Sequence, residues 1–186
     1  MFFSVPRSRR DFFKLSFFAA TLAFLRPRLS WGKTAALQPS APLSLFNTHT
    51  GERLNVAYRT PDGDYDPTAL GQLDRLLRCH HTNDVHPIDP RTLDYLALLD
   101  QQLGGGHDIH IISAYRSPRY NALLQSNGRG VASKSLHLQG RALDVRIPGV
   151  QLDRLKETAL LLGRGGVGYY PRPDFVHIDS GPVRRW

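Results

Sequence analysis

The stretch Ser135-Leu136-His137-Leu138-Gln139-Gly140-Arg141-Ala142-Leu143-Asp144 decides how this chain is read. From Ala142 to Ile147 polar and apolar residues alternate, as in a strand, where alternate side chains share one face. Ala142, Asp144 and Arg146 therefore point one way, and Leu143, Val145 and Ile147 the other. A second short stretch, Phe175-Val176-His177-Ile178-Asp179, has the same form. His177 and Asp179 share a face, while Val176 and Ile178 turn to a core. His137 stands in the loop before the first of these strands. Two imidazoles and a carboxylate with a free fourth position match the ligand set of a hydrolytic zinc site, where bound water is acidified to a pKa of about 7. A plainer reading stays open on residues alone, with His137 a solvated loop residue and Asp144 a strand-edge acid. The small residues Gly140 and Ala142 are read as room for a ligand or substrate backbone to approach.

Working outward, the flanking segments read as scaffold. Leu43–Asn47 and residues 53–59 form a hairpin around Thr48-His-Thr-Gly51, and Pro61-Asp-Gly-Asp64 is a turn. Asp66-Pro67 and Asp89-Pro90 each start a helix, with the acid as cap and the proline in the first turn. Leu70, Leu73, Leu76 and Leu77 make the apolar stripe of one helix; Leu93, Leu96, Ala97 and Leu103 make that of the other. Residues 110–114 form a strand, Ser117-Pro118 opens a third helix, and residues 127–135 read as an exposed loop. A fourth helix over residues 151–162 precedes strands at 167–170 and 175–180, joined through Pro171-Arg-Pro-Asp174. Helices early and short strands late predict an α+β domain over residues 43–186, with a small, mostly antiparallel sheet flanked by helices.

Charge divides the chain. Its 186 residues carry a formal net charge of +8. Residues 1–36 hold seven Lys/Arg against one Asp, or +6, which leaves 17 against 15, or +2, for residues 37–186. The basic excess thus belongs to the first segment, and a nucleic-acid partner is disfavoured for the rest, which has no basic-aromatic platform. Ser8-Arg9-Arg10-Asp11-Phe12-Phe13-Lys14, followed by the apolar run Leu15 to Leu25, is similar to a bacterial Tat export signal. Residues 1–36 are assigned to that signal and 37–42 to a linker. Cleavage near Thr34-Ala35-Ala36 and retention as a membrane anchor both stay open. Cys79 is the only cysteine, so no internal disulfide forms, and it is expected to be a small core or near-surface residue.

The pattern Ser-x-His-x-x-Gly-x-Ala-x-Asp from Ser135 to Asp144, with a later histidine on a strand, resembles the metal signature of M15-type and LAS-type zinc peptidases of bacterial cell walls. Ser113-Ala-Tyr-Arg-Ser-Pro-Arg-Tyr-Asn121, Gly130-Val-Ala-Ser133, Gly165-Gly-Val-Gly-Tyr-Tyr170 and the run from Phe175 to Trp186 narrow the likeness to the murein endopeptidase K family. The resemblance implies a hedgehog/D-Ala-D-Ala-peptidase-like domain acting on peptidoglycan in the periplasm. It implies His137, Asp144 and His177 as Zn2+ ligands and Arg116 as the group that polarises the scissile carbonyl. It further implies hydrolysis of peptide cross-links, chiefly the 3-3 type between diaminopimelate residues. A carboxypeptidase on the same fold and a non-catalytic wall-binding module are the alternatives.

The general base is where the likeness is loosest. Related carboxypeptidases place a Glu three residues before the last histidine, and here that position holds Asp174. Asp179 is its rival, either as the proton acceptor or as a group that orients His177 from behind. His49, His80, His81, His86, His107 and His110 are assigned surface or structural roles, and Tyr115, Tyr169 and Tyr170 groove walls or core.

Overall fold

The computed structural model describes residues 41–128 and 130–186. Residues 1–36 and most of the linker lie outside that range, so the export-signal reading is not addressed by it. Among the described residues, no helix is long and apolar enough to cross a membrane.

Among the described residues the chain builds a seven-stranded sheet in the order β2-β1-β3-β4-β6-β5-β7. Its strands are β1 (Leu43–Asn47), β2 (Arg53–Val56), β3 (Asp108–Ser113), β4 (Ala142–Arg146), β5 (Gly166–Tyr170), β6 (Phe175–Asp179) and β7 (Arg184–Arg185). Only the β1–β3 and β5–β7 pairs are parallel; the others are antiparallel. The expected mixed helix-and-sheet domain is present, with a larger sheet than the short strands suggested. The second strand ends at Val56 rather than Arg59, which instead bridges to Tyr65. β7 had no sequence signal at all: it is two residues long, and both are exposed.

Local chemistry explains the helix starts. In α1 (Pro67–Leu76) the Asp66 carboxylate accepts from the amides of Thr68 and Ala69. In α2 (Pro90–Leu103) Asp89 accepts from the Arg91 amide, and in α3 (Pro118–Ser126) the Ser117 hydroxyl accepts from Tyr120. Each of the three has proline in its first turn, where no amide hydrogen is needed. α4 (Leu152–Leu162) lacks a side-chain cap and ends on Gly163 in the left-handed region.

α2 and α4 pack on each other and on β6, and the Tyr95 hydroxyl donates to the Ala159 carbonyl at 2.8 Å to join them. Leu143, Val145, Val176 and Ile178 are fully buried in the same core as Leu93, Leu96, Leu155 and Ala159. Burying side chains of this size contributes about 1.5–3 kcal/mol each, and that fixes the register of the two central strands. Register in turn decides the site. A slip of one residue would turn every side chain to the opposite face.

Candidate metal centre

β4 and β6 run antiparallel with Asp144 directly opposite His177. The apolar backs of these strands are locked in the core, so their alternate residues must meet on the other face. That face is not open. Asp144 is 6 % exposed and His177 8 %, so the polar sides of the alternation are interior. His137 reaches them from a 3-10 turn, Leu136–Gln139, rather than from an irregular loop. Ser135 caps that turn by accepting from the His137 amide at 3.4 Å.

One ligand atom from each of His137, Asp144 and His177 falls within 4.8 Å of the others, and all three residues are buried. His177 Nδ1 lies 2.8 Å from Asp144 Oδ1 and 3.2 Å from His137 Nε2. His137 Nε2 lies 3.3 Å from Asp144 Oδ1. Tetrahedral bonds of about 2.0–2.1 Å would separate their ends by about 3.3 Å. The donor set therefore fits a small cation such as zinc.

The hydrogen bonds behind the imidazoles strengthen that fit. His137 Nδ1 sits 2.6 Å from the Ala114 carbonyl, an acceptor, so Nδ1 carries the hydrogen and Nε2 turns a lone pair inward. His177 Nε2 sits 3.0 Å from Asp179 Oδ2, so its Nδ1 likewise faces inward. Three acceptors thus converge, and only a proton or a cation can reconcile them. Burial opposes charge on Asp144, yet His137 and His177 beside it hold its carboxyl well below the usual carboxylate range. Burial also disfavours a charged His177, but its hydrogen bonds with Asp144 and Asp179 outweigh this and raise its pKa.

Arg116 is brought to the same place. It is 7 % exposed, and its Nη2 lies 3.9 Å from Asp144 Oδ2. Shorter contacts of 3.4 Å reach Asn121 Oδ1 and Ser113 Oγ, while among the described residues its buried Nε has no partner. The Arg116 amide donates to the His137 carbonyl, tying the two segments together. A register shift in β3 between Ile111 and Ser113 falls beside this group, as bulges often do where a strand must re-aim side chains.

The two rival acids separate clearly. Asp179 is fully buried. Its Oδ1 accepts from the Gly166 amide, the Gly181 amide and Arg184 Nη1 at 3.1, 2.8 and 3.0 Å, and its Oδ2 from Arg184 Nη2 at 2.7 Å. Burial pushes the Asp179 carboxyl up, but His177, Arg184 and the two amides outweigh it and hold the group ionised. Asp174 sits in the β5–β6 turn with φ of 58°, its side chain 59 % exposed and paired with Arg146 at 3.3 Å.

Two expectations are corrected. Gly140 does not leave room for a substrate: the Pro87 carbonyl fills the space a side chain would occupy, and the backbone there is left-handed with φ of 62°; Ala142 is fully buried. The residues missed from sequence are Arg184 and Trp186, which stand behind His177. Both lie in the run that carried the family likeness, but neither spacing nor residue type singled them out. Cys79 is buried, with its sulfur 3.5 Å from the Ser117 hydroxyl. The other six histidines lie outside the trio; His86, for example, stacks on Tyr115, and His107 pairs with Asp100.

Comparison with known proteins decides the family. A family model described as peptidoglycan L,D-endopeptidase MepK, of the M15 peptidases, matches residues 35–186. The chain belongs to the MepK family. The MepK proteins of Escherichia coli K12 and Shigella flexneri, each named peptidoglycan L,D-endopeptidase, are 40 % identical over 167 residues, covering 90 % of this chain and 84 % of theirs. A Haemophilus influenzae relative named "Probable peptidoglycan L,D-endopeptidase MepK" is 42 % identical over 145 residues, or 77 % of each chain.

Proposed function

We propose that this protein is a zinc-dependent endopeptidase of the bacterial envelope that cuts peptide cross-links in peptidoglycan. The observation that carries the reading is the convergence of three buried acceptors, His137 Nε2, His177 Nδ1 and Asp144 Oδ1, in a chain whose relatives are named peptidoglycan L,D-endopeptidase. Those three residues would hold the ion. When bound, zinc supplies a Lewis acid and an acidified water for attack on an amide carbonyl.

The remaining roles follow from the protein's own groups. Arg116, buried beside Asp144 with an unpartnered Nε, has donors to spare for the oxygen of the scissile carbonyl as charge builds on it. Of the two acids, Asp174 is the one open to solvent, and we assign proton transfer to it. Asp179 keeps the His177 ring in place. The hedgehog/D-Ala-D-Ala-peptidase-like label for the domain belongs to this reading, as do Tat export and a periplasmic location.

The relatives' names specify an L,D bond. In a 3-3 cross-link the amide joins the L-centre of one diaminopimelate to the D-centre of the next, which puts this linkage ahead of 4-3 links as the substrate. Incubation of the purified protein with defined 3-3 and 4-3 cross-linked muropeptides, with and without a chelator and beside His137→Ala, tests the proposal. Release of monomers from the 3-3 dimer, lost with chelator and in the variant, is expected. Release of a terminal D-alanine alone would select a carboxypeptidase, and wall binding without hydrolysis under any metal condition would refute an enzyme.

A further inference from the structure

The segment from Arg184 to Trp186 has no part in the chemistry so far, yet the sheet is shaped to receive it. β7 adds to β5 in parallel, with Gly166 opposite Arg184 and Val167 opposite Arg185. Trp186 is fixed on both sides of its backbone: its amide donates to the Val167 carbonyl, and its carbonyl accepts from the Tyr169 amide, each at 3.2 Å. The indole Nε1 donates to the Tyr170 hydroxyl at 2.7 Å. Tyr170 in turn stacks on Phe175, with centroids 4.6 Å apart.

Trp186 reaches His177 directly, and Arg184 reaches it through Asp179. Arg184 grips Asp179 through two nitrogens, at 3.0 and 2.7 Å, and Asp179 is the carboxylate that receives His177 Nε2. The Trp186 indole lies against the imidazole itself, with centroids 5.2 Å apart and planes inclined at 53°. The Arg184 guanidinium sits 5.0 Å from the centre of the same indole. One residue thus holds the back of the ring and the other its side.

Three glycines make the seats. A side chain at Gly168, the neighbour of His177 on β5, would meet the indole at 2.8 Å. One at Gly166 would meet Arg184 Nη1 at 2.6 Å, and one at Gly181 would meet Asp179 Oδ1 at 2.9 Å and Arg184 Nη1 at 3.0 Å. None of these three has a positive φ. Glycine is therefore required there by close approach and not by backbone conformation. An edge strand needs no such seats for its side chains. An orienting device does.

We propose that Arg184 and Trp186 are positioning residues that fix the rotation and tautomer of His177, so that Nδ1 faces His137 and Asp144. This rests on the reading of that trio as a metal site. Arg184 acts by anchoring both oxygens of Asp179, which keeps the accepting atom in line with Nε2. Trp186 acts by closing the side on which the ring would otherwise turn. Groups behind a ligand histidine typically alter metal affinity by about 10–100-fold.

The test uses the metal-free full chain titrated with Zn2+ in competition with a chromophoric chelator, and with Co2+ followed by its visible absorption. Arg184→Ala, Arg184→Lys and Trp186→Ala are compared with wild type, alongside thermal melts of each metal-free form. Arg184→Ala is expected to weaken zinc binding at least about tenfold and to change the cobalt spectrum, with Arg184→Lys recovering part of the loss. Trp186→Ala is expected to change the cobalt spectrum in the same direction. Wild-type affinity and spectrum in both alanine variants, with only a lowered melting temperature, would make β7 a simple edge clamp and overturn the proposal. If Arg184→Ala does not fold, Trp186→Ala decides on the same readouts. Failure of the wild type to bind zinc would instead overturn the metal reading on which this one rests.

Discussion

Asp179→Asn is the sharpest perturbation of the site, because it conserves volume while changing one acceptor into a donor. The favourable orientation of the amide keeps its oxygen where Oδ1 now accepts from Gly166, Gly181 and Arg184; the opposite orientation would point the NH2 at three donors. The NH2 then stands where Oδ2 was, facing Arg184 Nη2 at 2.7 Å and His177 Nε2 at 3.0 Å. Arg184 is 42 % exposed and can turn to water. The stability loss is therefore expected at the cost of about one poorly paired buried group, or about 1–3 kcal/mol. His177 has less freedom. To accept from the new NH2 it must move its hydrogen to Nδ1, which then points at Asp144 and His137 and blocks the inward lone pair. Zinc affinity is expected to fall by about 10–100-fold, far out of proportion to the melting temperature. Chelator competition measures the affinity, and nitrogen-15 NMR of the imidazole reads the tautomer in the metal-free protein. An Asp179→Asn protein that binds zinc as wild type does, or keeps its hydrogen on Nε2, would refute the reasoning.

Gly140→Ala is expected to cost about 3 kcal/mol or more in chemical denaturation, since the left-handed φ of 62° and the Pro87 carbonyl both oppose a side chain. Burial, with His49, His81 and Arg116 nearby, lowers the His80 pKa from 6.5 to about 4. The unfolded chain therefore takes up this proton first as pH falls. The stability that His80 contributes is complete above pH 6.5, is lost between there and about 4, and amounts to about 1 kcal/mol once solvent screening is allowed for; a wild-type slope no steeper than that of His80→Gln across that window would contradict this. Asp174→Asn is expected to lower kcat on cross-linked muropeptide by about 10²–10⁴-fold with zinc affinity unchanged, and full activity would remove Asp174 from proton transfer. Replacing Arg9 and Arg10 together by lysine is expected to leave the protein in the cytoplasm, as cell fractionation would show.

Much of the framework was legible because its causes are local. The Asp66-Pro67, Asp89-Pro90 and Ser117-Pro118 starts are caps that satisfy amides within two or three residues, so no distant partner is needed to read them. Alternation over Ala142–Arg146 and Phe175–Asp179 was equally local, and it correctly put Leu143, Val145, Val176 and Ile178 in the core. What alternation could not say is whether the other face meets water. Here the 3-10 turn of His137 and the β7 segment cover it, and a histidine and two acids that look like surface groups in a strand pattern become interior ones.

By itself, then, the order of residues determined the helices, every strand but β7, and the donor types on offer: two imidazoles, several carboxylates and an arginine. Tertiary structure decided which of them converge. It placed Asp144 across from His177 through the register of β4 and β6, delivered His137 from a different segment, and sealed Asp179 behind His177 under Arg184. The physical reason is range. Caps and alternation act over a few residues, whereas the tautomer of His177 depends on a carboxylate held by Arg184, whose place follows from strand pairing and close packing over glycine.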